Sequence, residues 1–91
     1  MTIEDFVSKL PLFSTGVLST SVNDKTDARG WQLQDYEDGR FYFITTKTKS
    51  VYKQLQANPY ATFYTISADE EFRISGKVFL LKMKKKRKIR F

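Results

Sequence analysis

Hydroxyl and ammonium side chains crowd one junction of the sequence, where a predicted strand runs into a predicted helix. The junction contains Thr45, Thr46, Thr48, Lys49 and, one helical turn later, Lys53. A helix start has unpaired backbone N–H groups and a partial positive charge, so donors of these types beside it complete a binding site for a phosphate. The alternative, a capped helix with solvated lysines, is the commoner arrangement, and spacing alone does not separate the two.

The 91-residue chain contains no cysteine and no histidine. Without cysteine there are no disulfides, thiol nucleophiles or thiolate metal sites. Without histidine the usual general base near neutral pH and the commonest metal ligand are missing. A serine triad, a zinc hydrolase and a two-histidine metal site are therefore excluded. We predict no catalytic side chain and no metal site, so any chemistry must come from something that the protein binds.

The net charge of +6 is concentrated at the end of the sequence, where residues 82–90 hold seven of the sixteen Lys and Arg residues. Residues 1–81 are nearly neutral, and we expect them to form one domain followed by a basic, disordered tail at 82–91. Clustered cations can bind nucleic acid, but a solvated end is the commoner case, and we do not expect nucleic acid as a partner. No apolar run approaches the ~20 residues of a membrane helix and no signal peptide opens the chain, so we expect a cytoplasmic protein without membrane contact.

The hydrophobic pattern predicts an α+β fold built mainly from antiparallel strands, because the connections are short. Asp38-Gly39 is typical of a tight hairpin turn. A meander or Greek-key barrel accommodates such an order. The predicted elements are a helix with apolar positions at 3, 6, 7 and 10, strands at 16–22, 28–36 and 41–45, a helix from 48 or 49 to 57, and strands at 60–67 and 72–80.

Three segments together resemble the flavin-binding half of pyridoxamine 5′-phosphate oxidase-like proteins. They are GRFYFITT at 39–46, KSVYKQLQANPY at 49–60 and FRISGKV at 72–78. The resemblance runs in one consistent order from about Phe6 to Phe79. It implies a split β-barrel with two short helices that forms a homodimer and binds flavin mononucleotide (FMN) in clefts between the subunits. It further implies a flavin-dependent oxidoreductase that acts on an unidentified small molecule.

Carried over position by position, the resemblance also implies which residues hold the flavin. Those expected to grip the phosphate are Thr46, Lys49 and Lys53, with Arg29 approaching from a neighbouring strand. Those expected to offer backbone groups to the ring are Phe43, Ile44 and Thr45. Trp31 and Gln32 are expected near the flavin or its partner ligand, although a tryptophan more often anchors a core or an interface.

The sequence departs from the family pattern in ways that leave other functions open. An Arg-Lys pair that the best-known members carry is missing near Ser50-Val51, and Glu71 stands where they have a flavin-contacting glutamine. The residues that bind pyridoxal phosphate in the true oxidase lie in sequence that this chain lacks, so we do not expect that activity. One alternative is a non-catalytic module for flavin or another phosphate-bearing ligand. Another is a truncated remnant that lacks its last strand and contacts nucleic acid through the basic tail.

Overall fold

The computed structural model describes residues 14–37, 39–46, 48–67, 69–83 and 86–91. The helix predicted around residues 3–10 lies outside these ranges. The described part contains one helix, α1, and strands β1 to β8. Their bounds are β1 Thr15–Val22, β2 Lys25–Gln32, β3 Asp35–Glu37, β4 Arg40–Thr45, α1 Ser50–Ala57, β5 Tyr60–Ser67, β6 Glu70–Lys77, β7 Phe79–Lys82 and β8 Arg87–Arg90.

The strands form two four-stranded sheets with the orders β2-β1-β5-β6 and β3-β4-β8-β7. Every pairing within them is antiparallel. In two pairs of neighbouring strands, β1 with β5 and β4 with β8, the strands are far apart in the sequence. The sheets therefore combine hairpins with long-range pairs. The predicted class, mainly antiparallel β, is therefore confirmed, and the described part contains one of the two predicted helices.

The chain passes from the first sheet to the second at two buried residues, Leu33 and Val78, which are 1% and 2% exposed. Leu33 N donates a hydrogen bond to Ser14 O at 3.1 Å, and Val78 N donates one to Pro59 O at 2.7 Å. Gly76 lies just before the second crossing, and its φ of +147° suits a residue without Cβ. Each of the two longest predicted strands, 28–36 and 72–80, is broken at one of these crossings. The sequence pattern does not show the break, because a buried apolar residue at the crossing continues the alternation of a strand.

Alternate residues of both sheets build the core. Phe43 of β4 and Phe63 of β5 are fully buried, with ring centroids 4.7 Å apart. Helix α1 covers this core with Val51 and Leu55, both buried. At Gly16 of β1 an added Cβ would lie 2.8 Å from Phe63 Cζ and would overlap the backbone of β5, so only glycine allows this close approach.

The basic segment supplies strand β8, which corrects the expectation of a disordered tail for residues 87–90. Ile89 is fully buried and lies opposite Phe43, while β8 pairs with β4 on one side and β7 on the other. Burying Ile89 and packing Phe91 against the core favour the ordered strand over a solvated tail. A strand therefore follows β7, which the truncated-remnant alternative did not anticipate.

Candidate functional site

Helix α1 begins beside the predicted phosphate-binding residues. Lys49 is its N-cap residue and has an extended backbone. No described side chain makes a capping hydrogen bond to the first turn, and no acidic residue lies in that turn. Thr46 Oγ1 and Thr48 Oγ1 lie 2.9 Å apart at this end. Lys49 and Lys53 are exposed and four residues apart, so they share one side of the helix. The helix start therefore combines backbone donors, hydroxyls and ammonium groups, with no carboxylate in the first turn of the described helix.

Arg29, the predicted fourth phosphate ligand, is held in a hydrogen-bonded cluster between β1, β2 and α1. Its Nη1 donates to Leu18 O at 3.1 Å and to Thr20 Oγ1 at 3.0 Å. Its Nη2 donates to Gln54 Oε1 at 2.6 Å and lies 2.9 Å from Asp27 Oδ2. The guanidinium thus reaches the second turn of α1, next to Lys53, but Asp27 already balances its charge.

Asp27 is the electrostatic counterpart of this cluster. A hydrogen bond from the Gln54 side chain, a second from the Ala28 backbone N–H and the nearby charge of Arg29 together lower the pKa of the Asp27 carboxyl. The ionised form is the one that these donors stabilise. The sequence prediction missed both Asp27 and Gln54. Asp27 could have been found, because it lies two residues from Arg29 and so on the same face of the strand.

A second part of the predicted site is an open groove of about 430 Å³ next to the end of β2. Trp31, Gln32 and Ile44, three predicted flavin-contacting residues, line it, and Trp31 Nε1 donates a hydrogen bond to Ile44 O at 3.2 Å. Its remaining lining residues are Thr15, Gly30 and Gln34. Among the described residues, the lining therefore offers an indole, amides and a hydroxyl but no titratable group. Sequence patterns gave no signal for Thr15 or Gln34.

Phe43 and Thr45 point away from this groove, into the core, and are 0% and 3% exposed. Phe91 N donates a hydrogen bond to Phe41 O. Because every second residue of an antiparallel pair is bonded to the same neighbour, Phe43 and Thr45 also exchange backbone hydrogen bonds with β8. The backbone groups of Phe43 and Thr45 are therefore bonded within the sheet, and the side chain of Ile44, between them, faces outward. The buried Thr45 Oγ1 has no hydrogen-bond partner within the described residues.

The described part of the chain holds neither a cluster of acidic residues suited to a metal ion nor a helix long and apolar enough to cross a membrane. The predicted residues therefore fall into four places: the α1 start with Thr46, Lys49 and Lys53, the Arg29 cluster, the groove with Trp31, Gln32 and Ile44, and the core with Phe43 and Thr45.

No protein-family model matches the chain, and no curated protein matches it. Several solved structures do match it. A NimC/NimA family protein from Clostridium acetobutylicum has a TM-score of 0.69 at 20% identity over 85% of this chain. A candidate pyridoxamine 5′-phosphate oxidase from Listeria innocua has a TM-score of 0.73 at 17% identity over 97% of it. A pyridoxamine 5′-phosphate oxidase-related, FMN-binding protein from Nostoc punctiforme has a TM-score of 0.69 at 19% identity over 87% of it.

The chain spans 87% of the Listeria protein but only 52% of the Clostridium protein and 43% of the Nostoc protein. At these identities the comparisons bear on the fold. They support the resemblance drawn from the sequence to that extent: the chain has the fold of solved structures described as pyridoxamine 5′-phosphate oxidase-related and NimC/NimA family proteins.

Proposed function

We propose that this protein binds FMN, with the ring system in the groove beside Trp31 and the phosphate at the start of α1. The observation that carries the proposal is the grouping of Trp31, Gln32 and Ile44 around one groove, tied together by the bond from the indole to Ile44 O. The fold shared with the Nostoc FMN-binding protein supports it.

The residues present fit the two ends of such a ligand. No charged residue lines the groove in the part of the chain that the structure describes, as suits a flat ring system, and the amides of Gln32 and Gln34 can both donate and accept hydrogen bonds. The phosphate end needs positive charge, which Lys49 and Lys53 supply beside uncapped helix N–H groups. Arg29 joins them when it exchanges part of its contact with Asp27 for the phosphate.

We further propose that the protein is an FMN-dependent oxidoreductase with an unidentified small-molecule substrate. Bound FMN would supply the hydride or electron chemistry, while the protein supplies position and electrostatics. Because the described residues that line the groove include no titratable side chain, protons would come from water or from the substrate. That same lining favours the second candidate, a module that binds flavin without turnover.

A homodimer in the cytoplasm is part of the proposal. Val17 and Ile66, which are 42% and 62% exposed, give β1 and β5 an apolar outer surface that a second copy can cover. Since the groove is open, a partner chain would enclose the ring more fully than one chain does. Sedimentation with and without FMN tests this assembly, and a monomer in both conditions contradicts it.

The central experiment is a titration of the purified protein with FMN, followed by flavin fluorescence and by the thermal midpoint. We expect saturable quenching and a midpoint that rises with FMN concentration. A colourless protein whose thermal midpoint does not change when FMN is added contradicts the proposal. Reduction of the bound flavin by nicotinamide dinucleotides separates the enzyme from the non-catalytic module, which would bind FMN but would not turn over.

A further inference from the structure

Strand β8 sends two cations to the outer face of the second sheet. Its residues alternate, so that Arg87 and Ile89 are buried while Lys88 and Arg90 face outward. Arg90 lies opposite Tyr42 of β4 and Phe79 of β7, and Lys88 lies opposite Ile44 and Leu81. Cations and rings from three strands therefore lie side by side on this face.

The contacts on this face are close. Arg90 Cζ lies 4.7 Å from the centroid of the Phe79 ring, and Lys88 Nζ lies 5.0 Å from that of Tyr42. Lys77 Nζ, from the end of β6, lies 5.5 Å from the Phe79 ring. Cation–π attraction keeps these flexible side chains near the rings. We call the group of Tyr42, Lys77, Phe79, Lys88 and Arg90 the cationic face.

The cationic face also has an accessible ring and little opposing charge. Phe79 is 45% exposed, although phenylalanine is among the residue types that are most often buried. Asp35 and Glu37 point to the same side of the sheet, but they belong to β3, the edge strand on the far side of β4. Negative charge therefore lies along one margin, and the area between β8 and β7 is positive.

We propose that the cationic face binds single-stranded nucleic acid. A sheet surface on which exposed rings alternate with lysine and arginine matches such a ligand, because bases stack on rings while cations contact the phosphates. A duplex hides its base faces and would leave Phe79 without a stacking partner. The expectation that nucleic acid is not a partner assumed a disordered tail, whereas β8 fixes the cations of this segment beside aromatic rings.

The test measures polarisation of a labelled oligouridylate of about 12 nucleotides at several salt concentrations. Lys88→Gln/Arg90→Gln is compared with Lys25→Gln/Arg73→Gln, a matched control that removes two cations from the first sheet. Arg73 is well matched, since its Cζ also lies over a ring, 5.9 Å from the centroid of Tyr64. Both double variants change outward side chains, and unchanged thermal midpoints confirm their folding.

The slope of log affinity against log salt is negative, and we expect the β8 double variant to reduce its magnitude by about 1.4, since each lost phosphate contact on a single strand removes about 0.7. The control should retain the slope. Phe79→Leu, which keeps an apolar side chain, should weaken binding about tenfold through lost stacking. Equal losses in both double variants, or an unaltered affinity of Phe79→Leu, overturn the proposal. Binding to anionic lipid vesicles without binding to the oligonucleotide also overturns it, in favour of a membrane surface.

Discussion

Trp31 Nε1 donates a hydrogen bond to Ile44 O and so joins the end of β2 in one sheet to β4 in the other. The bond is made at the rim of the groove that both residues line. It satisfies an outward-facing carbonyl that β3 is too short to reach, since β3 pairs with β4 only as far as Tyr42. The indole therefore both ties the sheets together and forms a wall of the proposed flavin site.

Trp31→Phe separates these two roles. The variant keeps a ring but loses the indole donor, which we expect to cost about 0.5–1.5 kcal/mol of folding stability. If the indole also contacts the flavin, affinity for FMN should fall by about five- to tenfold, measured by fluorescence titration. A variant that loses stability but binds FMN with unchanged affinity would show that Trp31 is only an anchor.

Lys49→Ala/Lys53→Ala tests the phosphate end of the site. Each lysine that makes a charge-assisted hydrogen bond contributes about 1.5–3 kcal/mol, so each loss should weaken FMN binding at least about tenfold. Lys25→Ala, which removes an exposed cation from the start of β2, is the matched control and should bind FMN normally. Riboflavin lacks the phosphate, so its affinity should be equal in all three proteins. Unchanged FMN affinity in the double variant would remove this assignment.

The buried hydroxyl of Thr45 predicts a stabilising substitution. Thr45→Val keeps the shape of the side chain and removes a buried polar atom that has no partner within the described residues. We expect the free energy of unfolding to rise by about 1 kcal/mol in a urea titration. Thr20→Val is the opposite case, since Thr20 Oγ1 accepts from Arg29 and donates to Gln54. It should destabilise the protein, and a loss of stability in both variants would contradict the assignment.

Asp27→Asn predicts a difference in acid sensitivity. The pKa of Asp27 is lowered from its ordinary value of 3.8, so its ionised form stabilises the folded chain. This contribution is complete above the unfolded pKa and is lost as the pH falls through the lower folded value. The wild-type protein should therefore lose more stability than Asp27→Asn between about pH 5 and pH 2. Urea titrations across that range measure the difference.

Asp24→Asn, in the turn between β1 and β2, lies outside the Arg29 cluster and is the control for this comparison. It should follow the wild-type profile. Parallel profiles for the wild-type protein and Asp27→Asn would show that the cluster does not favour the ionised carboxyl. Because Asp27→Asn also leaves Arg29 without its counter-charge, we expect the same variant to bind FMN more tightly at neutral pH.

Sequence patterns located the elements whose ends carry strong signals. Strand β5 was predicted with its observed bounds, since Asn58-Pro59 precedes it and Ala68-Asp69 follows it. The corners at Leu33 and Val78 were missed, because a buried residue at a sheet crossing keeps the alternation of a continuous strand. Where the chain changes sheets depends on long-range pairing, which local periodicity does not report.

Strand β8 was missed for a different reason. The abundance of lysine and arginine in this segment is typical of solvated chain, and that composition outweighed a short alternation of Arg87, Ile89 and Phe91 with two cations. In the site, residue types indicated the donors at the α1 start, whereas Trp31, Gln32 and Ile44 were expected only from the family resemblance, and their binding of flavin stays a prediction. Residue types did not predict that the guanidinium of Arg29 contacts Asp27 and Gln54, because the contact with Gln54 depends on how α1 packs on β1 and β2.

The position of β8 between β4 and β7 has a consequence for the newly made chain. Those two strands have no contact with each other in the sheet order, so β8 alone connects them. Since β8 follows both in the sequence, one edge of β4 has no partner while residues between them are still being translated. An unpaired edge invites pairing with other chains. The nascent protein is therefore open to pairing with other chains at this edge until residues 87–90 leave the ribosome.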